Sequence, residues 1–469
     1  MQWNYGTVTD ELVGALEGIA GKGNVSIKEE EMERYSYDEM PIPKPHPPDV
    51  VVKPENTPSV AKVLALANEK RIPVTPRGSG TGLSGGCVPT LGGIVLSLER
   101  MNRVLEIDGE NFVAVVEPGL LLSDLYQAVE ERGLYYPLYP GEKSASIGGN
   151  IATNAGGMRA VKYGVTRHFV LGLTAVVPTG EVVESGGKFV KCSSGYDLTQ
   201  LLVGSEGTLA VITRIILRLI PPPGKREVLF IPFHTLQEGI SAVPDILKQR
   251  ISPVGIEFME RDIIELVEEY TGREVPFHKH EAFLMITMEA DSEEAIHEAS
   301  RQVQEVAMNH GAIDVFLPGS ERAKRELLET REKFYHALKR FGPVDIADVV
   351  VPRSEIPEFV KRAKEISART GMPILVYGHA GDGNVHLHPL GRGMDRAEWE
   401  RKLPGIFEEI YQVGVSLGGA VSGEHGIGFE KREYLATAMD RNVIEVMKRI
   451  KRALDPHNIL NPGKIFDLS

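Results

Sequence analysis

The sequence has only two cysteines, Cys87 and Cys192. That scarcity excludes a disulfide framework and a built-in iron–sulfur cluster, which takes about four thiolates. Any electrons the protein handles need an external route. Basic excess is missing too: 52 Lys and Arg against 65 Asp and Glu leave a net charge of −13, with no Lys/Arg stripe to neutralise phosphates. Nucleic acid is excluded as a partner on that ground. Nor is there a run of 18 apolar residues; the nearest, Leu209 to Ile220, is broken by Arg214 and Arg218. The start, Met1-Gln-Trp-Asn-Tyr-Gly6, lacks the basic-then-apolar order of a signal peptide. The expectation is a cytoplasmic protein with no transmembrane segment, peripheral attachment through a partner being left open.

What is present is globular in composition, 42% hydrophobic and 25% charged, and 469 residues exceed one ordinary core, so two or three domains are expected. An amphipathic helix (Leu12, Leu16, Ile19) leads to the proline-rich connector Pro41–Pro48. Val50-Val-Val52 reads as a buried strand, Thr57-Pro58 as N-cap and first-turn proline of a helix, and Ile72–Thr75 as the next strand.

From Pro76 the chain turns glycine-dense. Gly80, Gly82 and Gly85 satisfy the G-x-G-x-x-G dinucleotide pattern, but that fingerprint needs a helix starting at the loop. Here Pro89, Gly92 and Gly93 precede the strand Ile94–Leu98. A nest of backbone N–H groups, assisted by Ser79, Thr81 and Ser84, can hold an anion without that helix. A second segment of similar chemistry, Pro140 to Gly157, supports the idea, and Gly204-Ser-Glu-Gly-Thr208 leads into the strand Leu209–Leu219. After Pro221-Pro-Pro223, strands at 227–232, 255–259, 283–289 and 312–317 alternate with helices. A long helix over 320–340 precedes a strand over 344–351. The pattern predicts an α+β protein whose second domain is an antiparallel sheet covered by helices.

Tyr377-Gly-His-Ala-Gly-Asp-Gly-Asn-Val-His-Leu-His-Pro389 reads as a β-hairpin. With Asp382-Gly383 as a two-residue turn, His379 faces His386, within reach of one metal ion. A single strand histidine is ordinarily a hydrogen-bonded polar residue. Three within ten residues point to a metal, with His388 on the face of His386 and a further ligand to come from elsewhere in the chain.

Several long motifs then occur in one order: Arg77-Gly-Ser-Gly-Thr-Gly82, Gly148-Gly-Asn-Ile-Ala-Thr-Asn-Ala-Gly-Gly157, Gly204–Thr208, Gly378–Asn384, Ser422-Gly-Glu-His-Gly-Ile-Gly428 and Asn461-Pro-Gly463. In this the chain, from about Val50 onward, resembles the FAD-linked D-2-hydroxy-acid dehydrogenases, the D-lactate dehydrogenase and glycolate oxidase branch of the vanillyl-alcohol-oxidase superfamily. The resemblance implies a two-subdomain FAD-binding domain over 1–222, a substrate domain over 223–410 and a helical C-terminal segment over 411–469 that returns to the flavin. It implies that FAD is held by Arg77, Gly78, Ser79, Gly80, Thr81, Gly82 and Ser84, with Pro140, Gly141, Ser144, Gly148, Asn150, Thr153, Asn154 and Gly157 from the second segment. Glu206, Gly207 and Asn461 complete that set.

The same resemblance supplies Glu424 as the third ligand to a divalent metal beside His379 and His386; Zn²⁺ suits the set, with Fe²⁺ and Mn²⁺ as alternatives. His425 is then the base that takes the α-hydroxyl proton while hydride passes to flavin N5, and Arg331 pairs with the substrate carboxylate. Relatives acting on D-2-hydroxyglutarate carry a lysine near the position of Ile346 and Ala347, so a small monocarboxylate is expected, D-lactate before glycolate. Electrons pass to an electron-transferring flavoprotein, a separate iron–sulfur subunit or quinone. A non-catalytic flavin subunit would not need His379, His386, Glu424 and His425 together, and a metal hydrolase with incidental glycine loops would be colourless.

Overall fold

Val50–Val52 is buried at every residue, as a strand covered on both faces must be, and it pairs in parallel with Ile94–Ser97, itself parallel to Val74–Arg77. Val25–Ser26 adds an antiparallel edge. In this computed structural model, which describes residues 3–41 and 44–468, the chain divides into two compact units. One comprises residues up to 155, 165–222 and 424 onward; the other comprises 156–164 and 223–423. Ile42 and Pro43 of the expected proline-rich connector, and the first two residues of the chain, lie outside the described residues.

The first unit holds the four-stranded sheet just given and a five-stranded antiparallel one, in the order Val104–Asp108, Val113–Val116, Val211–Arg218, Val170–Val176, Val182–Gly186. Helix Thr57–Lys70 packs Val60, Val63 and Leu64 into the core of the smaller sheet. Its cap is Asn56, whose side chain accepts from the Ser59 amide, one residue earlier than the expected Thr57; Thr57 begins the helix and Pro58 occupies its first turn, where no N–H is required. Ile459 and Leu460, from the far end of the chain, join the same core. Between Gly78 and Gly93 no helix forms. The second glycine-rich segment is not wholly loop: Ser146 caps a helix, Ile147–Thr153, that ends on Asn154 in the left-handed conformation.

The second unit is a six-stranded antiparallel sheet, ordered Lys225–Phe233, Ala282–Ala290, Gly255–Glu260, Ile374–His379, Asn384–Pro389, Ala347–Val350. Helices Leu236–Lys248, Arg261–Thr271, Glu293–Asn309 and Ile356–Thr370 belong to it, and Phe230 stacks on Phe283 at 5.0 Å in its core. Three expectations need correction. Residues 312–317 form no strand and pair with the sheet as isolated bridges, Phe233 to Ala312 and Phe230 to Phe316. The helix expected over 320–340 breaks at Lys333 into Glu321–Glu332 and Phe334–Phe341. The strand expected over 344–351 shortens to Ala347–Val350.

The last of the chain starts its return to the first unit at Glu424, so the end of helix Arg396–Ser416 and residues 417–423 stay with the second. Among the described residues no helix is long and apolar enough to cross a membrane.

Candidate functional site

In the first unit the glycine-rich motifs converge. Ser79 N–H donates to Ser146 Oγ at 3.3 Å, and Ser146 N–H donates to Ser79 Oγ at 3.0 Å. Gly78 sits so close to this latch that a Cβ there would lie 2.0 Å from Ser146 Oγ. Gly80 and Gly85 have φ of 80° and 72°, which only glycine adopts at little cost. The third motif joins through the backbone, Gly204 N–H to Ile151 O at 2.9 Å and Glu206 N–H to Ala152 O at 2.8 Å. Asn461 then ties first and third motifs together: its Nδ2 donates to Gly86 O and Glu206 O, both at 2.8 Å. Its Oδ1 is buried with no hydrogen-bond partner among the described residues, an acceptor left over for a bound group.

Several expected cofactor residues hold the protein's own backbone. Arg77 donates to Tyr37 O at 2.7 Å and lies 5.3 Å over the Tyr35 ring. Ser144 turns to Glu142, Thr153 Oγ1 donates to Gly149 O, and the Asn154 side chain accepts from Arg167 N–H. Thr81 stays beside Ser79, while Gly82, Ser84, Gly148, Asn150 and Gly207 remain within the first unit; Gly141 is exposed with open space around it, Pro140 lies beside it, and Gly157 falls in the second unit.

Glu206 is buried and left-handed, with φ 51°. Burial pushes its carboxyl above the ordinary carboxylate range, against the pull of two amides, Ile427 N–H at 2.8 Å and Gly428 N–H at 2.7 Å. Ser84 Oγ donates to His425 O at 3.0 Å. The backbone around Glu424 and His425 is therefore fixed by residues of the glycine motifs.

In the second unit the hairpin forms with a register different from the expected one. His386 faces Tyr377 and His379 faces Asn384, because four residues, Ala380–Gly383, make the turn; His379 O accepts from both Asp382 and Gly383. The slip is two residues, so both imidazoles keep one face. They meet on the diagonal, Nε2 to Nε2 at 3.3 Å with rings edge to face. His388 faces Leu375 and is fully buried, stacked 4.9 Å from Tyr377.

Two buried carboxylates that the sequence reading missed surround the pair. Glu257 faces His379 across the sheet, and its Oε1 accepts from His379 Nδ1 at 2.6 Å. Its Oε2 accepts from Arg331 Nε at 3.0 Å and pairs with Arg331 NH2 at 2.7 Å. Burial alone would raise the Glu257 carboxyl, but the charges of His379 and Arg331 outweigh it and hold it below the ordinary range. Asp348 Oδ1 lies 3.6 Å from His386 Nδ1 and accepts from Asn384 Nδ2 at 2.7 Å; its Oδ2 accepts from Ser422 Oγ and Gly423 N–H.

The pair fits a metal. Two imidazoles on one tetrahedral ion at about 2.0–2.1 Å place their nitrogens about 3.4 Å apart, and here they are 3.3 Å apart. The Glu257 carboxylate can only accept, so Nδ1 of His379 donates to it and Nε2 is the nitrogen turned toward His386.

Two family models match the chain: "FAD binding domain" over residues 48–186 and "FAD linked oxidases, C-terminal domain" over 222–465. A D-lactate dehydrogenase of Anaerostipes hadrus is 40% identical, with 99% of each chain covered. The glycolate oxidase subunit GlcD of Bacillus subtilis is 38% identical over 98% of this chain and 97% of its own. Among solved structures, p-cresol methylhydroxylase with substrate bound superposes with a TM-score of 0.82 at 19% identity, covering 98% of both chains, a likeness of fold.

Proposed function

Because the chain belongs to the FAD-linked oxidases, in their D-2-hydroxy-acid dehydrogenase branch, we propose that it oxidises a small D-2-hydroxy acid, D-lactate first, to the 2-oxo acid. The observation that carries this reading is the convergence of His379 Nε2 and His386 Nε2, with His379 and the Arg331 guanidinium held by one carboxylate. When bound, the flavin supplies a hydride acceptor and a divalent ion, Zn²⁺ before Fe²⁺ or Mn²⁺, supplies a Lewis acid for the hydroxyl oxygen.

The chain's own residues do the rest. His379, His386 and Glu424 hold the ion. Arg331 pairs with the substrate carboxylate through the NH1 edge that Glu257 leaves clear, an interaction of about 1.5–3 kcal/mol. His425 takes the hydroxyl proton, a task suited to a group that titrates near neutrality. The glycine motifs at 76–86, 140–157 and 206–207 hold FAD, with Asn461 Oδ1 as a further acceptor toward it. With no cluster of its own, the chain hands its electrons to an electron-transferring flavoprotein, an iron–sulfur subunit or quinone.

Ile346 and Ala347 are buried and apolar, which gives the distal carboxylate of D-2-hydroxyglutarate no cation there and favours a monocarboxylate. Glycolate is the second reading, motivated by the likeness to the glycolate oxidase subunit. The purified protein is yellow on this account, and anaerobic D-lactate bleaches it. An oxidised spectrum that persists with D-lactate, glycolate and D-2-hydroxyglutarate alike would leave a non-catalytic flavin subunit as the answer. Equal or faster bleaching by D-2-hydroxyglutarate would overturn the monocarboxylate preference.

A further inference from the structure

Glu257 lies outside the hairpin, yet it serves both of the groups on which the proposed chemistry depends. It sits in the strand Gly255–Glu260 with 2% of its surface exposed. The ladder to Ile374–His379 sets it directly across from His379. Its two oxygens have different clients: Oε1 takes the His379 Nδ1 proton at 2.6 Å, and Oε2 takes Arg331 Nε at 3.0 Å and NH2 at 2.7 Å. Arg331 comes from the last turn of helix Glu321–Glu332, and its guanidinium lies 4.5 Å over the Tyr377 ring, in the residue pair that faces His386.

We infer that Glu257 is a positioning residue that links the arginine site to the imidazole site, so that occupancy of one changes affinity at the other. The inference rests on the roles proposed above for Arg331 and the imidazole pair. Three physical facts carry it. A carboxylate with one oxygen on His379 fixes the tautomer that leaves Nε2 as the metal-facing nitrogen. The other oxygen occupies the Nε side of the guanidinium, which orients the NH1 edge as the free donor face. Finally, the side chain is buried and rigid, so rotating it to improve one contact spoils the other. Linkage of this kind is reciprocal: whatever strengthens the Arg331 end must act equally on the His379 end.

An amide cannot do both jobs. Glutamine has one acceptor oxygen, and its NH₂ group would face a donor at either client. The test uses full-length, FAD-loaded Glu257→Gln and Arg331→Met proteins. Zn²⁺ affinity is measured by competition with a chromogenic chelator in the absence of substrate, and KM and kcat for D-lactate with a dye acceptor. In Glu257→Gln, Zn²⁺ affinity should fall about 10–100-fold and KM for D-lactate should rise, with FAD content unchanged. Arg331→Met, which removes no contact to an imidazole, should also weaken Zn²⁺ several-fold, a change that a purely local role for Arg331 would not produce.

Wild-type Zn²⁺ affinity in Arg331→Met overturns the link, and so does wild-type Zn²⁺ affinity together with wild-type KM in Glu257→Gln. If Glu257→Gln does not fold, the arginine variant decides alone. The Zn²⁺ arm needs no turnover, so it separates failure of this inference from failure of the substrate reading, which would appear instead as wild-type protein that D-lactate does not bleach.

Discussion

Ser79 and Ser146 hold each other by a reciprocal pair of hydrogen bonds, each amide donating to the other's hydroxyl across 67 residues of chain. Ser146 also caps helix Ile147–Thr153 through the Gly149 amide, so one hydroxyl serves two loops.

The first prediction follows from that double duty. Ser146→Ala removes one acceptor from the latch and one cap, together worth about 1–2 kcal/mol. FAD affinity, read by flavin fluorescence on titrating the apoprotein, should weaken about tenfold, and Ser146→Thr should recover part of it. Unchanged FAD affinity in Ser146→Ala would mean that the latch does not shape the cofactor loop.

Gly378 gives the second. A Cβ there would lie 2.3 Å from Asn384 O and 3.0 Å from Val385 Cα, backbone that cannot step aside without opening the hairpin. Overpacking of this kind costs about 1–3 kcal/mol or more. Gly378→Ala should therefore lose metal, measured by elemental analysis, and turnover, while its flavin spectrum stays normal. Loss of flavin with metal retained would reverse the division of labour between the two units.

The proton-transfer role of His425 gives the third. His425→Gln should slow flavin reduction by D-lactate about 10²–10⁴-fold while FAD and metal contents stay at wild-type levels. His386→Ala should lose turnover together with the metal. Stopped-flow flavin absorbance and elemental analysis distinguish the two variants; a His425→Gln enzyme reduced at the wild-type rate would remove His425 from the proposal.

Asp38 supplies a pH prediction. Burial raises its carboxyl to about 6 from 3.8, against the Met40 amide and the Arg77 charge that pull the other way. Between those values the native state keeps a proton that the unfolded chain has lost. Stability therefore falls as pH rises from about 4 to 6, and the cost, about 2–3 kcal/mol, stands in full above pH 6. Asp38→Asn removes it: Tm should rise at pH 7.5 and match wild type near pH 4. A Tm difference that does not change with pH would put the effect elsewhere.

Much of the site was legible in the sequence because its parts are local. The glycine motifs announce tight backbone, and the histidine spacing around an Asp-Gly pair announces a hairpin with a common face. The register was not legible. Counting from a two-residue turn set His379 opposite His386, whereas Ala380–Gly383 turn together; the error was even, and parity preserved the face. Glu257 and Asp348 were invisible for a different reason. Each acts through strand pairing with a distant segment, Glu257 with His379 and Asp348 with His386, and one sequence does not reveal which strands pair. Among Glu329, Glu332 and Lys333 nothing in the local sequence marks Arg331 for burial, and only tertiary packing buries it against Glu257.

The tail has a consequence in time. Leu460 bridges to Val74, Asn461 N–H donates to Val74 O, and Lys451 fills a buried site formed by Thr208 O, Leu460 O and Asp455. These residues follow the whole second unit in chain order. On the ribosome, Gly86 of the glycine loop waits through the synthesis of 375 further positions before Asn461 is made. The second unit, residues 156–164 and 223–423, precedes that tail in chain order, so the loop's contact with Asn461 can form only after all of that unit has been synthesised.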